Sequence, residues 1–220
     1  MFVILFYIII LLVIIGGVSI FFAKSSTLVQ RFTAFVAGLA LLVSLISAFK
    51  SEIFPFALKI LVGNIKLTHI FDAPDEQVGI ILPISFINDG YAEGIIETLT
   101  LKVKDEKGNL RVYQPLFEID YIALIRDIKE FDPAIISGEF MQFPIHSKES
   151  ILKHVFFSQK IDEKHPLLQW KPGKYVFSLY IKSSQRKREQ KAQEFILNIR
   201  KEDLERFSEG KTCCIPQKRD

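Results

Sequence analysis

Cysteine is almost missing from this 220-residue chain: there are two, Cys213 and Cys214, adjacent and close to the carboxyl end. No disulfide framework can brace a core. The pair has three possible states: free thiols in a polar tail, which is the simplest, a strained vicinal disulfide, or acylation if the tail meets a cytosolic membrane face. No Asn-x-Ser/Thr sequon marks a secretory lumen, and no Lys or Arg precedes Lys24, as a cleaved signal peptide would require. The four histidines, His69, His146, His154 and His165, have no ligand-like spacing to one another or to the cysteines. There is no Gly-x-Ser-x-Gly turn, no phosphate loop and no dinucleotide fingerprint. Asp72, Asp75 and Glu76 read as a solvated acidic turn, with nothing in the pattern to shift a pKa. The expectation is a protein with no catalytic site, no metal and no cofactor.

Charge of one sign is also lacking where it would matter for nucleic acid. Residues 1–63 hold Lys24, Arg31, Lys50 and Lys59 against Glu52, which accounts for the whole formal charge of +3. The remaining 24 basic and 24 acidic side chains balance. The surplus therefore lies beside apolar runs, where it serves topology and anionic headgroups, and nucleic acid is not an expected partner.

Long uncharged runs, by contrast, are present. Met1 to Ala23 contains no charge, and neither does Phe32 to Phe49. As helices they would extend about 34 Å and about 27 Å, against a hydrocarbon core of about 30 Å. The pattern predicts a transmembrane hairpin over residues 1–49, with helices near 2–23 and 32–49. Lys50, Lys59 and Lys66 on one flank outnumber Lys24 and Arg31 on the other, which favours a cytoplasmic carboxyl-terminal domain. Residues 50–63, SEIFPFALKILVG, are broken by Pro55 and too short to span. They form a tether that either lies at the interface or packs as the first strand of the domain.

From residue 64 to 211 the text changes to alternation punctuated by turns. IKLTHI, GIILPISFIN with Ile80, Leu82, Ile84 and Phe86 on one face, and the segment carrying Leu99, Leu101 and Val103 read as strands. So do LRVYQPLFEI, AIISGEFMQFPIH, GKYVFSLYIK with Tyr175, Phe177, Leu179 and Ile181, and QEFILNIR. About seven short strands predict an antiparallel sandwich. Short helices are predicted at 121–131, 150–157 and 202–211, with a polar tail over 212–220. Asn88-Asp89-Gly90 reads as a turn whose residues tolerate positive φ, and Pro172-Gly173 as a second turn explained by backbone geometry.

Two segments, ISFINDGYAEGII at 84–96 and WKPGKYVFSLYIK at 170–182, carry a resemblance to small prokaryotic membrane-anchored proteins with an immunoglobulin-like domain and no assigned function. It implies a mainly-β, immunoglobulin-like sandwich behind a membrane anchor, and no activity. One dense basic feature remains, KSSQRKREQK, with Lys182, Arg186, Lys187, Arg188 and Lys191. Its simplest reading is a solvated hairpin connection; the alternative is contact with anionic lipid or an acidic protein, since it lacks the aromatics of a nucleic-acid stacking surface. The expectation is a non-enzymatic, membrane-anchored binding or scaffold module with an unidentified protein partner. The alternative is an accessory subunit of a membrane complex, and an enzyme with a dispersed site comes last.

Overall fold

The computed structural model describes residues 15, 27–69, 78–120, 122, 135–159, 168, 170–208 and 213–215. Among them, one helix is long and apolar enough to cross a membrane: α1, Leu28–Ala48. It starts four residues before the predicted Phe32, because Thr27 and Gln30 close a capping box. The Thr27 hydroxyl accepts from the Gln30 N–H (3.3 Å) and the Gln30 side chain accepts from the Thr27 N–H (2.9 Å). Arg31, expected in a connecting loop, thus lies in the first helical turn. Within α1 the Thr33 and Ser44 hydroxyls donate to the carbonyls of Val29 and Ala40, which removes them as free polar groups on an apolar cylinder. None of its residues is buried. The first predicted span, residues 2–23, lies outside the described residues apart from Ile15, which is helical.

A single turn, α2 (Lys50–Ile53), follows, and Pro55 ends helical pairing. Leu58–Val62 then forms β1, so the second half of the expected tether is the first strand of the domain. The other strands are β2 (Ile65–His69), β3 (Val78–Asn88), β4 (Gly94–Lys104), β5 (Leu110–Ile119), β6 (Ile136–Glu139), β7 (Phe143–Ile145), β8 (Ser150–Gln159), β9 (Gly173–Ser183), β10 (Gln190–Ile199) and β11 (Cys213–Ile215). The helix α3 (Lys201–Ser208) precedes β11; it overlaps the predicted 202–211 and begins one residue before it. The predicted helix at 121–131 lies outside the described residues except for Ile122.

Every pairing is antiparallel, in the order β10-β9-β4-β5-β8-β3-β2-β11, with β1 on β3, β6 on β5 and β7 on β4. β1 and β2 run end to end along one edge of β3, interrupted where the Gly63 N–H donates to the Pro83 carbonyl at 2.8 Å. β5 is the hinge of the sheet: its first half pairs with β4 and its second with β8. The sheet therefore folds over, and both ends supply one core. Ile80, Leu82, Ile84 and Phe86 of β3 meet Leu99, Leu101 and Val103 of β4, Tyr175, Phe177, Leu179 and Ile181 of β9, and Phe195 and Leu197 of β10. Burying each such side chain contributes about 1.5–3 kcal/mol. Across the seam between the first and last strands of this wrap, the Val62 N–H donates to the Gln193 side chain at 3.1 Å.

The segment 150–157 is a strand and not the predicted helix. β8 around Val155–Phe157 and β3 around Ile80–Leu82 are buried on both faces. Phe157 and Val155 enter the main core, whereas Phe156 and Ile81 meet Ile119 and Ile135 in a second cluster on the reverse side. A strand covered on both sides loses its alternation, and its consecutive apolar residues then match a helix equally well.

Candidate functional site

The joint between α2 and the sheet is built around Asn88, the last residue of β3, which is 1% exposed. Its side-chain oxygen accepts from the N–H groups of Ala57 (3.2 Å) and Gly90 (2.9 Å), and its NH2 donates to the carbonyls of Ala92 (2.8 Å) and His146 (2.9 Å). All four capacities of the amide are used, and they join the tether, the β3–β4 loop and the β7–β8 loop. The expected positive φ at this turn is absent: among the described residues only Lys148, Gly108 and Gly173 have it. Gly90 is required instead for space, since a Cβ there would stand 1.9 Å from the Pro55 carbonyl oxygen. Gly173, after Pro172, is at φ +152°, a conformation that suits glycine.

Around this joint the Tyr91 N–H donates to the Phe54 carbonyl (2.9 Å) and the two rings lie 5.6 Å apart. The Lys50 and Lys148 ammonium groups sit over the Tyr91 ring, at 5.4 Å and 4.6 Å from its centre. Lys148 also donates to the Asp89 carbonyl. His146 Nδ1 lies 3.1 Å from Glu93 Oε1, and the hydrogen bond and charge of that carboxylate raise the imidazole pKa above its ordinary value.

The basic stretch forms the β9–β10 hairpin and its tip, at this same end. Its five cations are not equivalent. Lys182 pairs with Glu97 at 2.6 Å and Lys191 with Glu194 at 2.8 Å, and the latter contact, with help from Ser178, lowers the Glu194 pKa. Arg186, Lys187 and Arg188 are exposed at the tip, and their side chains make no ion pair among the described residues. Sequence alone could not separate the paired two from the exposed three, because Glu97 and Glu194 arrive from β4 and from farther along β10.

Cys213 and Cys214 lie in β11, whose backbone pairs with β2 at Leu67 and Lys66, so the tail expected from 212 onward contributes a strand to the sheet. Leu67 faces Ile80 across the next pairing, eight residues along β3 from Asn88. That is roughly 26 Å from the helix joint at strand rise.

The far end holds an open depression of about 320 Å³ between the β4–β5 turn and the start of β9, lined by Asp105, Glu106, Lys107, Arg111, Lys174 and Tyr175 among others. Its acids are engaged in local structure. The Asp105 carboxylate accepts from the Asn109 side chain and N–H (both 2.8 Å), bonds that hold its pKa low, and Glu106 accepts from the Lys174 N–H at 2.8 Å. The Tyr175 hydroxyl donates to the Lys171 carbonyl (3.0 Å) and accepts from its N–H (2.9 Å). The Trp170 ring packs over Tyr175 and Phe177. Of the histidines, His154 is half-buried on β8 and its pKa is lowered, chiefly by desolvation and then by Lys66; His165 lies outside the described residues. Among the described residues no group of three His, Cys, Asp or Glu is placed to hold a metal ion. No protein-family model matches the sequence, and comparison with the curated proteins gives no significant match.

Proposed function

We propose that the chain is an integral membrane protein whose β domain is a non-enzymatic binding or scaffold module held against the bilayer. The observation that carries this reading is the uncovered apolar helix α1, which runs through one turn and four further residues into a strand hydrogen-bonded to β3 of the sheet. A helix of 21 residues extends about 32 Å, enough for the hydrocarbon core, and the Asn88 joint leaves little slack between span and domain. With residues 2–23 as a first span, both termini of the hairpin share a side. The Lys50, Lys59 and Lys66 flank favours the cytoplasm.

The domain is proposed to be an immunoglobulin-like sandwich. Support comes from the order β10-β9-β4 on one side and β8-β3-β1/β2 on the other with β5 shared, and from a tyrosine at the start of β9 that bonds back to the backbone four residues upstream. Such a domain offers loops and edges to a protein partner. The accessory-subunit alternative draws on the same uncovered helix, which neighbouring spans would cover. Membrane fractions washed with alkaline carbonate test the anchor: the chain should stay in the pellet, and its release would end this reading. Gentle detergent extraction then separates the alternatives, since a stoichiometric integral-membrane partner favours a subunit.

A further inference from the structure

We infer that the β9–β10 tip, Arg186, Lys187 and Arg188, is a second membrane contact that binds anionic phospholipid headgroups in the leaflet α1 enters. This deepens the proposed function and rests on its membrane anchor. The tip is at the helix end of the domain and is fixed there. The Ser184 N–H donates to the Ile95 carbonyl (2.9 Å), the Ile95 N–H donates to the Ser184 hydroxyl (2.9 Å), and the Gln185 side chain donates to the Glu93 carbonyl (3.2 Å). The loop that holds it also holds Tyr91, which is bonded to Phe54 directly after α2. A continuous hydrogen-bonded path thus runs from the end of the span to the basic tip.

Charge selects the ligand. Lys182 and Lys191 are neutralised by Glu97 and Glu194, so the unspent charge is the three tip residues against Glu189. Of the other acids at this end, Glu93 and Glu149 both bond to His146, Asp89 stands in the β3–β4 loop where its backbone carbonyl accepts from Lys148, and Glu52 is in α2. Exposed Ile53 and Phe54, with Tyr91 between Lys50 and Lys148, supply the apolar and aromatic groups suited to an interface. Two anchor points, helix and tip, would hold the seam between β1 and β10 toward the bilayer and leave the 105–109 turn pointing away.

The test uses the full chain in nanodiscs of phosphatidylcholine alone or with 30 mol% phosphatidylglycerol, a composition on the order of an anionic leaflet. Brief trypsin treatment cuts after Arg186, Lys187 and Arg188 at the tip and after Lys107 in the far turn, which serves as the internal reference. The tip-to-Lys107 cleavage ratio should fall about tenfold in anionic discs and recover in 0.5 M NaCl, about where screening shortens to a few Å. An equal ratio in both discs would overturn the inference while leaving the anchor standing. Failure of the chain to co-elute with either disc would remove the anchor and this inference together.

Discussion

At the helix end of the β domain one buried carboxamide, Asn88, bonds to four backbone groups from three segments; at the far end one phenol, Tyr175, bonds to the two backbone groups of a single residue, Lys171. The chemistry follows the number of chains to be joined. Where tether and two loops converge, their inward peptide groups have no strand partner, and only an amide offers both two donors and two acceptors. The far corner closes one connection, and there packing dominates: Trp170 covers Tyr175 and Phe177. A polar hub makes the helix end directional, because hydrogen bonds fix angles. The aromatic corner fixes mainly depth.

The core shared by the two ends sets the largest effect. Phe177→Asp would bury an unpaired carboxylate beside Phe195 and Trp170 and should cost about 4 kcal/mol or more. Trp170, the sole tryptophan, would report it as a red-shifted emission and a lost cooperative transition. Retention of the parent's single sharp transition would mean that position 177 does not belong to the core the two ends share.

Asn88→Ala comes next, at about 2–4 kcal/mol, since it strands buried donors and acceptors together. It should speed amide exchange at Ala57 and Gly90 while Trp170 emission stays unchanged, and an equal response at both ends would erase the distinction drawn above. Tyr175→Phe keeps the ring under Trp170 and removes only the hydroxyl bonds. Its cost should be about 1 kcal/mol in denaturant unfolding, with exchange at Ala57 unaffected.

Strands with one wet face were legible in the sequence: Leu99, Leu101 and Val103, like Tyr175 to Ile181, alternate because the other face of their strands is solvated. β8 was not, because Ile119 and Ile135 cover its second face at Phe156, and that cover comes from residues distant in sequence. The start of α1 was missed because Leu28 and Val29 precede a charged Arg31, and a hydropathy boundary drawn at a charge overlooks a capping box. At Asn88-Asp89-Gly90 the residues were singled out for the wrong property. Gly90 is small because Pro55, more than thirty residues earlier, passes against it, and no local turn rule contains that contact. The basic tip was legible as a tip. Which of its cations are free depended on strand register, and register is set by long-range pairing.

The smallest effect compares two histidines, one at the helix joint and one on the reverse face of the sheet. His146 is exposed and its folded-state pKa is raised by Glu93, so its contribution is present below the unfolded value near 6.5 and is lost as pH rises through the folded pKa. His154 has its pKa lowered, chiefly by desolvation. Its contribution is present above that unfolded value and is lost as pH falls through the folded one. The two therefore act in opposite directions across neutral pH. Imidazole proton shifts followed by NMR in detergent should give His146 the higher midpoint. Glu93→Gln should lower that midpoint without moving the one for His154, because the carboxylate touches only the first ring. If both midpoints move together, the two sites are coupled through the strand between them, β8 or its loop, and the helix joint is not the separate polar unit described above.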